Sequence, residues 1–94
     1  MQAVIVPISD RHLEHAQSVS ARLAAAGVRC ETYSENEPMR VKIAKAQQQK
    51  VPYMLVVGDK EMEDDSVGVR ERTQGDIGAM SVAEFAELVV GQRP

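Results

Sequence analysis

Apolar and polar residues alternate along this chain with two different periods, and the stretch Lys50 to Arg72, KVPYMLVVGDKEMEDDSVGVRER, anchors the rest. Val51 to Val57 is an almost unbroken apolar run between breakers, the pattern of a strand buried on both faces. Pro52 suits the start of such a strand, where a missing N–H costs least, and it stops a preceding helix from running through Val51. Beyond Gly58, a polar turn is expected over Asp59, Lys60, Glu61, Met62, Glu63, Asp64 and Asp65, after which Ser66 to Arg72 alternates strictly. Val67, Val69 and Glu71 then share one strand face. Ser66, Gly68, Arg70 and Arg72 share the other, so two guanidiniums and a glycine that admits a ligand lie near the carboxylates of the turn.

The preceding residues read as β-α-β-α leading into that strand. Ala3 to Ile8 is a first apolar strand, and Ser9 or Asp10 caps a helix with Leu13, Ala16, Val19 or Ser20, Leu23 and Ala26 at helical spacing. Gly27 ends it. Val28 to Tyr33 alternates as a second strand, and Ser34 to Pro38 leads into a second helix, with Asn36 the preferred cap and Pro38 tolerated in the first turn. Met39, Ile43, Ala46 and the stem of Lys50 form its inner face. Two crossovers give parallel strands, and a hairpin to Ser66 adds an antiparallel one, so the sheet is mixed. Gly75 and Gly78 bracket a short extended segment around Ile77, and Ser81 with Glu84 forms a capping box for a last helix that buries Val82, Phe85, Leu88 and Val89. The chain reads as one domain, 1–94, whose tail 91–94 is expected to fray.

Composition narrows the function. A chain of 94 residues, 44% hydrophobic and 27% charged, has no bilayer-length apolar run and no signal-peptide pattern, which points to the cytoplasm. Its single cysteine, Cys30, reads as a small core hydrophobe. The net charge of -3 argues against general affinity for phosphate backbones, so contact with nucleic acid is expected at a few chosen bases. The turn after the first strand, Pro7-Ile8-Ser9-Asp10, lacks the glycines of a phosphate-binding loop. His12 and His15 read as solvated histidines on a helix surface, and the acidic run Glu61 to Asp65 lacks the spacing of a calcium loop. No residues suggest catalysis.

Ile8-Ser9-Asp10, Ala26-Gly27-Val28-Arg29, Asn36-Glu37, Lys42-Ile43, the segment KVPYMLVVGDKE from Lys50 to Glu61, Val69-Arg70 with Arg72, Asp76-Ile77-Gly78 and Met80-Ser81 together resemble the C-terminal anticodon-binding domain of threonyl-tRNA synthetases. The resemblance runs along nearly the whole chain. It implies a three-layer α/β fold with a mixed five-stranded sheet and three helices, and a non-catalytic role: holding the anticodon stem-loop of threonine tRNA while a separate catalytic domain of the same synthetase charges the other end. No cofactor is implied for this domain, because the ATP, magnesium and zinc of such enzymes belong to other domains. No DNA or membrane partner is implied either.

The family's base-reading positions fall on Asn36, Lys50, Glu61 and Arg70. Threonine anticodons end in G then U, and an unstacked guanine offers N1–H and N2–H donors beside O6 and N7 acceptors. Glu61 suits the donors and Arg70 the acceptors, while the amide of Asn36 can both donate and accept, as uracil requires. Lys50 and Arg72 suit the RNA backbone, setting register without reading sequence. The chain departs from the family at Glu35, where a basic residue is usual, at Arg40, which replaces a glycine, and at Ala44, where an arginine is common. Its three aromatic residues, Tyr33, Tyr53 and Phe85, offer little for base stacking, so weak binding by the domain alone is expected. The rival reading is a protein-interaction or regulatory module that kept the fold and lost the RNA.

Overall fold

The strands at the centre of the sheet are the ones that bury side chains: Ala3–Pro7 is buried on both faces, Tyr53–Val57 nearly so, Ser66–Glu71 alternates, and the edge strands Cys30–Thr32 and Gly75–Ser81 hold no fully buried residue. The computed structural model describes residues 3–33 and 37–91. In chain order they form β1 (Ala3–Pro7), a 3-10 turn (Asp10–His12), α1 (Leu13–Ala25), β2 (Cys30–Thr32), α2 (Met39–Gln48), β3 (Tyr53–Val57), α3 (Asp59–Asp64), β4 (Ser66–Glu71), β5 (Gly75–Ser81) and α4 (Val82–Gly91). The sheet order is β2-β1-β3-β4-β5, parallel from β2 through β3 and antiparallel from β3 to β5. This is the mixed five-stranded sheet expected from sequence.

Ala3, Ile5, Tyr53, Leu55, Val57, Val67 and Val69 face α1 and α4, which contribute Ala16, Val19, Leu23, Val82, Phe85 and Val89 to the larger core. Val4, Val6 and Met54 face the other way and pack with Tyr33, Val51 and Ala46 of α2. Helices on both faces make the three layers. The second face, however, carries α2 alone over β1 and β3, so the part formed by β3, β4 and β5 stays open, and the candidate site lies there.

Helix ends follow local chemistry. The amides of Gly27 and Val28 turn back to the carbonyls of Ala24 and Leu23, at 3.0 and 2.9 Å, closing α1 with glycine in the left-handed region. α2 closes with the same pair of bonds, the Lys50 amide donating to the Gln47 carbonyl and the Val51 amide to the Ala46 carbonyl, with Lys50 at φ 57°, a conformation that glycine ordinarily supplies. Ser81 and Glu84 exchange the two bonds of the expected capping box, at 3.1 and 3.2 Å.

Several expectations change. Helices number four among the described residues, not three, because the acidic segment after Gly58 coils into α3 instead of remaining a turn. The carboxylate of Glu61 accepts the Gly58 N–H at 2.8 Å and so starts that helix. The strand expected from Val28 to Tyr33 pairs only over Cys30–Thr32, and α2 begins at Met39 with Pro38 in the capping position. Cys30 is half-buried against the larger core. The expected cap Asn36 and tail residues 92–94 lie outside the described residues, while Gly91 is the last residue of α4.

His12 and His15 are not solvated. The imidazole of His12 is 3% exposed and that of His15 8%. His12 Nδ1 accepts the Ser9 N–H at 3.1 Å, which leaves the proton on Nε2 to be donated to Asp59 Oδ1 at 2.6 Å. His15 Nε2 donates to the Ser66 carbonyl at 3.2 Å. These bonds tie the two rings to the first residue of α3 and the first residue of β4.

Candidate nucleic-acid interface

The open sheet face is built by register. Across β3 and β4, Met54 pairs with Arg70 and Val56 with Gly68, so Gly68 and Arg70 stand on the face that α2 leaves uncovered. On the far side of β4, Val69 pairs with Gly78 and Arg70 with Asp76, leaving Ile77 as an extra residue of β5. That bulge lets Ile77 pack against the larger core while Asp76 stands beside Arg70. Val56, Glu61, Gly68, Arg70 and Asp76 line an open cleft of about 240 Å³. Pockets that enclose small molecules begin at roughly 300 Å³, so the cleft suits a flat group lying against the sheet better than an engulfed ligand.

Each wall has a local cause. Glu61 is fixed through one oxygen, which caps α3, and the other lies 4.0 Å from where a Cβ on Gly68 would stand. Gly68 supplies the floor, since that same Cβ would stand 3.4 Å from the Val56 carbonyl oxygen and fill the cleft. Arg70 is exposed and reaches over both this cleft and a second depression lined by Ile43, Gln47, Val51, Met54 and Arg72. Asp76 accepts the Gly78 N–H at 2.9 Å, in a turn that holds Gly78 at φ 100°. Two carboxylates and a guanidinium therefore surround a surface with room for one planar group. Such a set accepts two hydrogen-bond donors and supplies one charged fork, as the pairing edge of a guanine demands.

Lys50 and Arg72 meet at the neighbouring corner. Arg72 lies one residue past β4, not on the strand as expected, and its Nη1 donates to the Lys50 carbonyl at 3.2 Å. The bond ties Arg72 to the end of α2. Both side chains are exposed. Glu61 and Arg70 thus share one cleft, Arg72 lines the second depression that Arg70 also borders and is bonded to Lys50, and Asn36 lies outside the described residues. Asp76 was missed in the sequence because only the bulge at Ile77 aligns it with Arg70; an acid flanked by glycines across a hairpin from an arginine was the available signal.

Acid–base behaviour at the site's edge follows from its ion pairs. The hydrogen bond from His12, followed by the Arg11 charge, holds the Asp59 carboxyl below its ordinary value. Arg22 grips Asp65 with both nitrogens, at 3.0 and 2.7 Å, and that hydrogen bonding holds Asp65 low as well. Glu71 is lowered by the Thr73 hydroxyl and the Gln74 amide, which it accepts at 2.7 and 2.8 Å. Among the described residues, no group of three or more His, Cys, Asp or Glu is placed to hold a metal ion, and no helix is long and apolar enough to cross a membrane.

Fold and site define a class: an α/β domain presenting an open, polar cleft on its mixed sheet. The chain belongs to the anticodon-binding domain family, which it matches over residues 2–92. It is 47% identical over 89 residues to the threonine–tRNA ligase of Desulforamulus reducens, covering 95% of this chain and 14% of the relative. To the ligase of Thermus thermophilus it is 44% identical over 87 residues, covering 93% and 13%. The chain therefore spans only a small part of the ligases it resembles. The crystal structure of the RNA binding domain of threonyl-tRNA synthetase from Cryptosporidium parvum superposes with a TM-score of 0.90 at 26% identity, over 96% of this chain and 23% of that one. Histidyl-tRNA synthetase from Nostoc shares the fold, at a TM-score of 0.88 and 21% identity over 97% of this chain and 22% of that one.

Proposed function

We propose that this domain binds the anticodon stem-loop of threonine tRNA and reads it at the cleft of Glu61, Gly68, Arg70 and Asp76, as the non-catalytic part of an ATP-dependent threonine–tRNA ligase. The observation that carries this reading is the convergence of Glu61 and Arg70 on one glycine-floored surface, which fits the donors and acceptors of an unstacked guanine. Lys50 and Arg72 act as backbone contacts that set register, and Asn36 is assigned to the adjacent uracil. The threonine identity rests on the ligases that the chain resembles at 44 to 47% identity. The remaining domains of the same synthetase are its protein partners, and the cytoplasm is its compartment.

Burial limits the affinity. Tyr33, Tyr53 and Phe85 are 5%, 6% and 0% exposed, so none offers a ring to a base, and stacking otherwise supplies about 1–3 kcal/mol per base. That observation also favours the rival, an interaction module without RNA. Titration at low salt by fluorescence anisotropy separates them. The threonine anticodon stem-loop should bind more tightly than the same loop with its middle G replaced, and Arg70→Ala should cost about 1–3 kcal/mol and abolish the preference. Equal binding of both loops by the folded wild type would sink the reading.

A further inference from the structure

Helix α3 places Glu61 in the cleft, yet apart from the cap that Glu61 makes on Gly58 nothing within the helix accounts for its stability. It has six residues and buries none of them, whereas isolated helices this short do not persist in water. What holds it lies on α1 and the turn before it. Asp59, the first residue of α3, accepts a hydrogen bond from the buried His12 at 2.6 Å and a second from Arg11. Asp65, just past the last residue and in the left-handed conformation at φ 53°, is gripped by Arg22 at 3.0 and 2.7 Å. His15 fixes the next residue through the Ser66 carbonyl. Arg11 and His12 from the turn before α1, with His15 and Arg22 from α1, therefore clamp both ends of a helix whose middle carries Glu61.

We propose that the His12–Asp59 contact, backed by Arg11, is a positioning device for base recognition: it sets the first turn of α3 so that Glu61 caps Gly58 with one oxygen and offers the other to the base in the cleft. The chain of contacts is continuous. His12 is locked by the Ser9 N–H on Nδ1, so its Nε2–H has a single direction, towards Asp59. Asp59 and Glu61 sit in the same turn, and Glu61 cannot reach the Gly58 N–H unless that turn is formed. Asp59 itself is 63% exposed and does not line the cleft, so its effect on a bound base acts through Glu61.

The inference rests on the proposed reading of the anticodon loop, and the test keeps the two apart. Asp59→Ala, at an exposed position, is measured beside Glu61→Gln, the double variant and the wild type, with the guanine-containing and guanine-replaced stem-loops. Asp59→Ala should lower the preference for guanine about fivefold, the low end of a base-edge contact, while leaving affinity for the replaced loop unchanged. The double variant should lose no more than Glu61→Gln alone, because both act through one carboxylate. His12→Gln, whose amide can still donate to Asp59, should retain most of the preference. Hydrogen exchange at the Gly58 amide reports the same geometry without RNA and should accelerate in Asp59→Ala. Unchanged guanine preference together with unchanged Gly58 exchange in that variant overturns the proposal. If Glu61→Gln leaves the preference intact, the reading of Glu61 fails instead, and Gly58 exchange alone judges the clamp.

Discussion

At the scale of single residues, two positions separate stability from binding. Gly68 sits in mid-strand with room for a methyl group, its nearest neighbour the Val56 carbonyl oxygen at 3.4 Å. Gly68→Ala should leave the denaturation midpoint level or raise it, by up to about 1 kcal/mol from reduced unfolded-state entropy. The same methyl group occupies the cleft floor, so anisotropy should show the stem-loop binding weakened by about 1 kcal/mol or more. A variant that binds like the wild type would mean the base does not lie over this strand. Lys50 offers the converse case. Its φ of 57° is a strained conformation for a side chain with a Cβ, and strain of this kind gathers at functional positions. Lys50→Gly should stabilise the domain by up to about 1 kcal/mol in urea unfolding, yet reduce affinity for both stem-loops alike, because a backbone contact carries no base information. A selective loss for the guanine loop would reassign Lys50 to base reading.

At the scale of elements, α3 is the piece whose stability depends on charge. Asp59 and Asp65 have folded-state pKa values below their ordinary 3.8. A depressed carboxyl contributes stability that is fully present above the unfolded value and is lost as pH falls through the folded one. Hydrogen exchange of α3 amides, followed from pH 6 downward and corrected for intrinsic rates, should therefore lose protection below about pH 4 while β3 stays protected. Simultaneous loss in both elements would show that α3 is not held by those carboxylates. The central strand tests packing instead: Leu55 is fully buried, and Leu55→Ala should lower stability by about 2–5 kcal/mol in chemical unfolding. These elements differ equally in how well the sequence displays them. β3 was legible because its apolar run is its own burial pattern, and α4 because Ser81 and Glu84 announce it. α3 was not, since a helix that buries nothing has no period to read. The histidines misled for a related reason: the partner of His12 lies 47 positions away and that of His15 51 positions away, beyond the reach of any local pattern. Strand alternation placed Arg70 near the carboxylates that follow Gly58, and the family resemblance singled out Glu61 among them, but Asp76 joins the pair only through the bulge at Ile77.

At the scale of the whole molecule, the charge distribution sets how binding should respond to salt. A net charge of -3 means the domain has no general attraction for a polyanion, and the acidic groups Glu61 and Asp76 stand in the cleft itself. The proposed reading gives two exposed cations, Lys50 and Arg72, to phosphates and Arg70 to a base, while Arg11 and Arg22 are engaged by Asp59 and Asp65. Each phosphate neutralised on a single strand contributes about 0.7 to the slope of log affinity against log salt, so two contacts give a slope near -1.4. A series of stem-loop titrations from low to physiological salt should return that shallow dependence. Arg72→Ala should bring the slope to about -0.7 while keeping the preference for guanine, because removing a phosphate contact leaves the base contacts in place. A wild-type slope of about -4 or steeper would instead require several more cations on the RNA, and would move the interface off the open sheet face. With few phosphate contacts and no exposed aromatic ring, discrimination at this site has to come from hydrogen bonds to the base edge. On the proposed reading, the placement of the Glu61 carboxylate through Asp59 and His12 would therefore bear directly on which base is accepted.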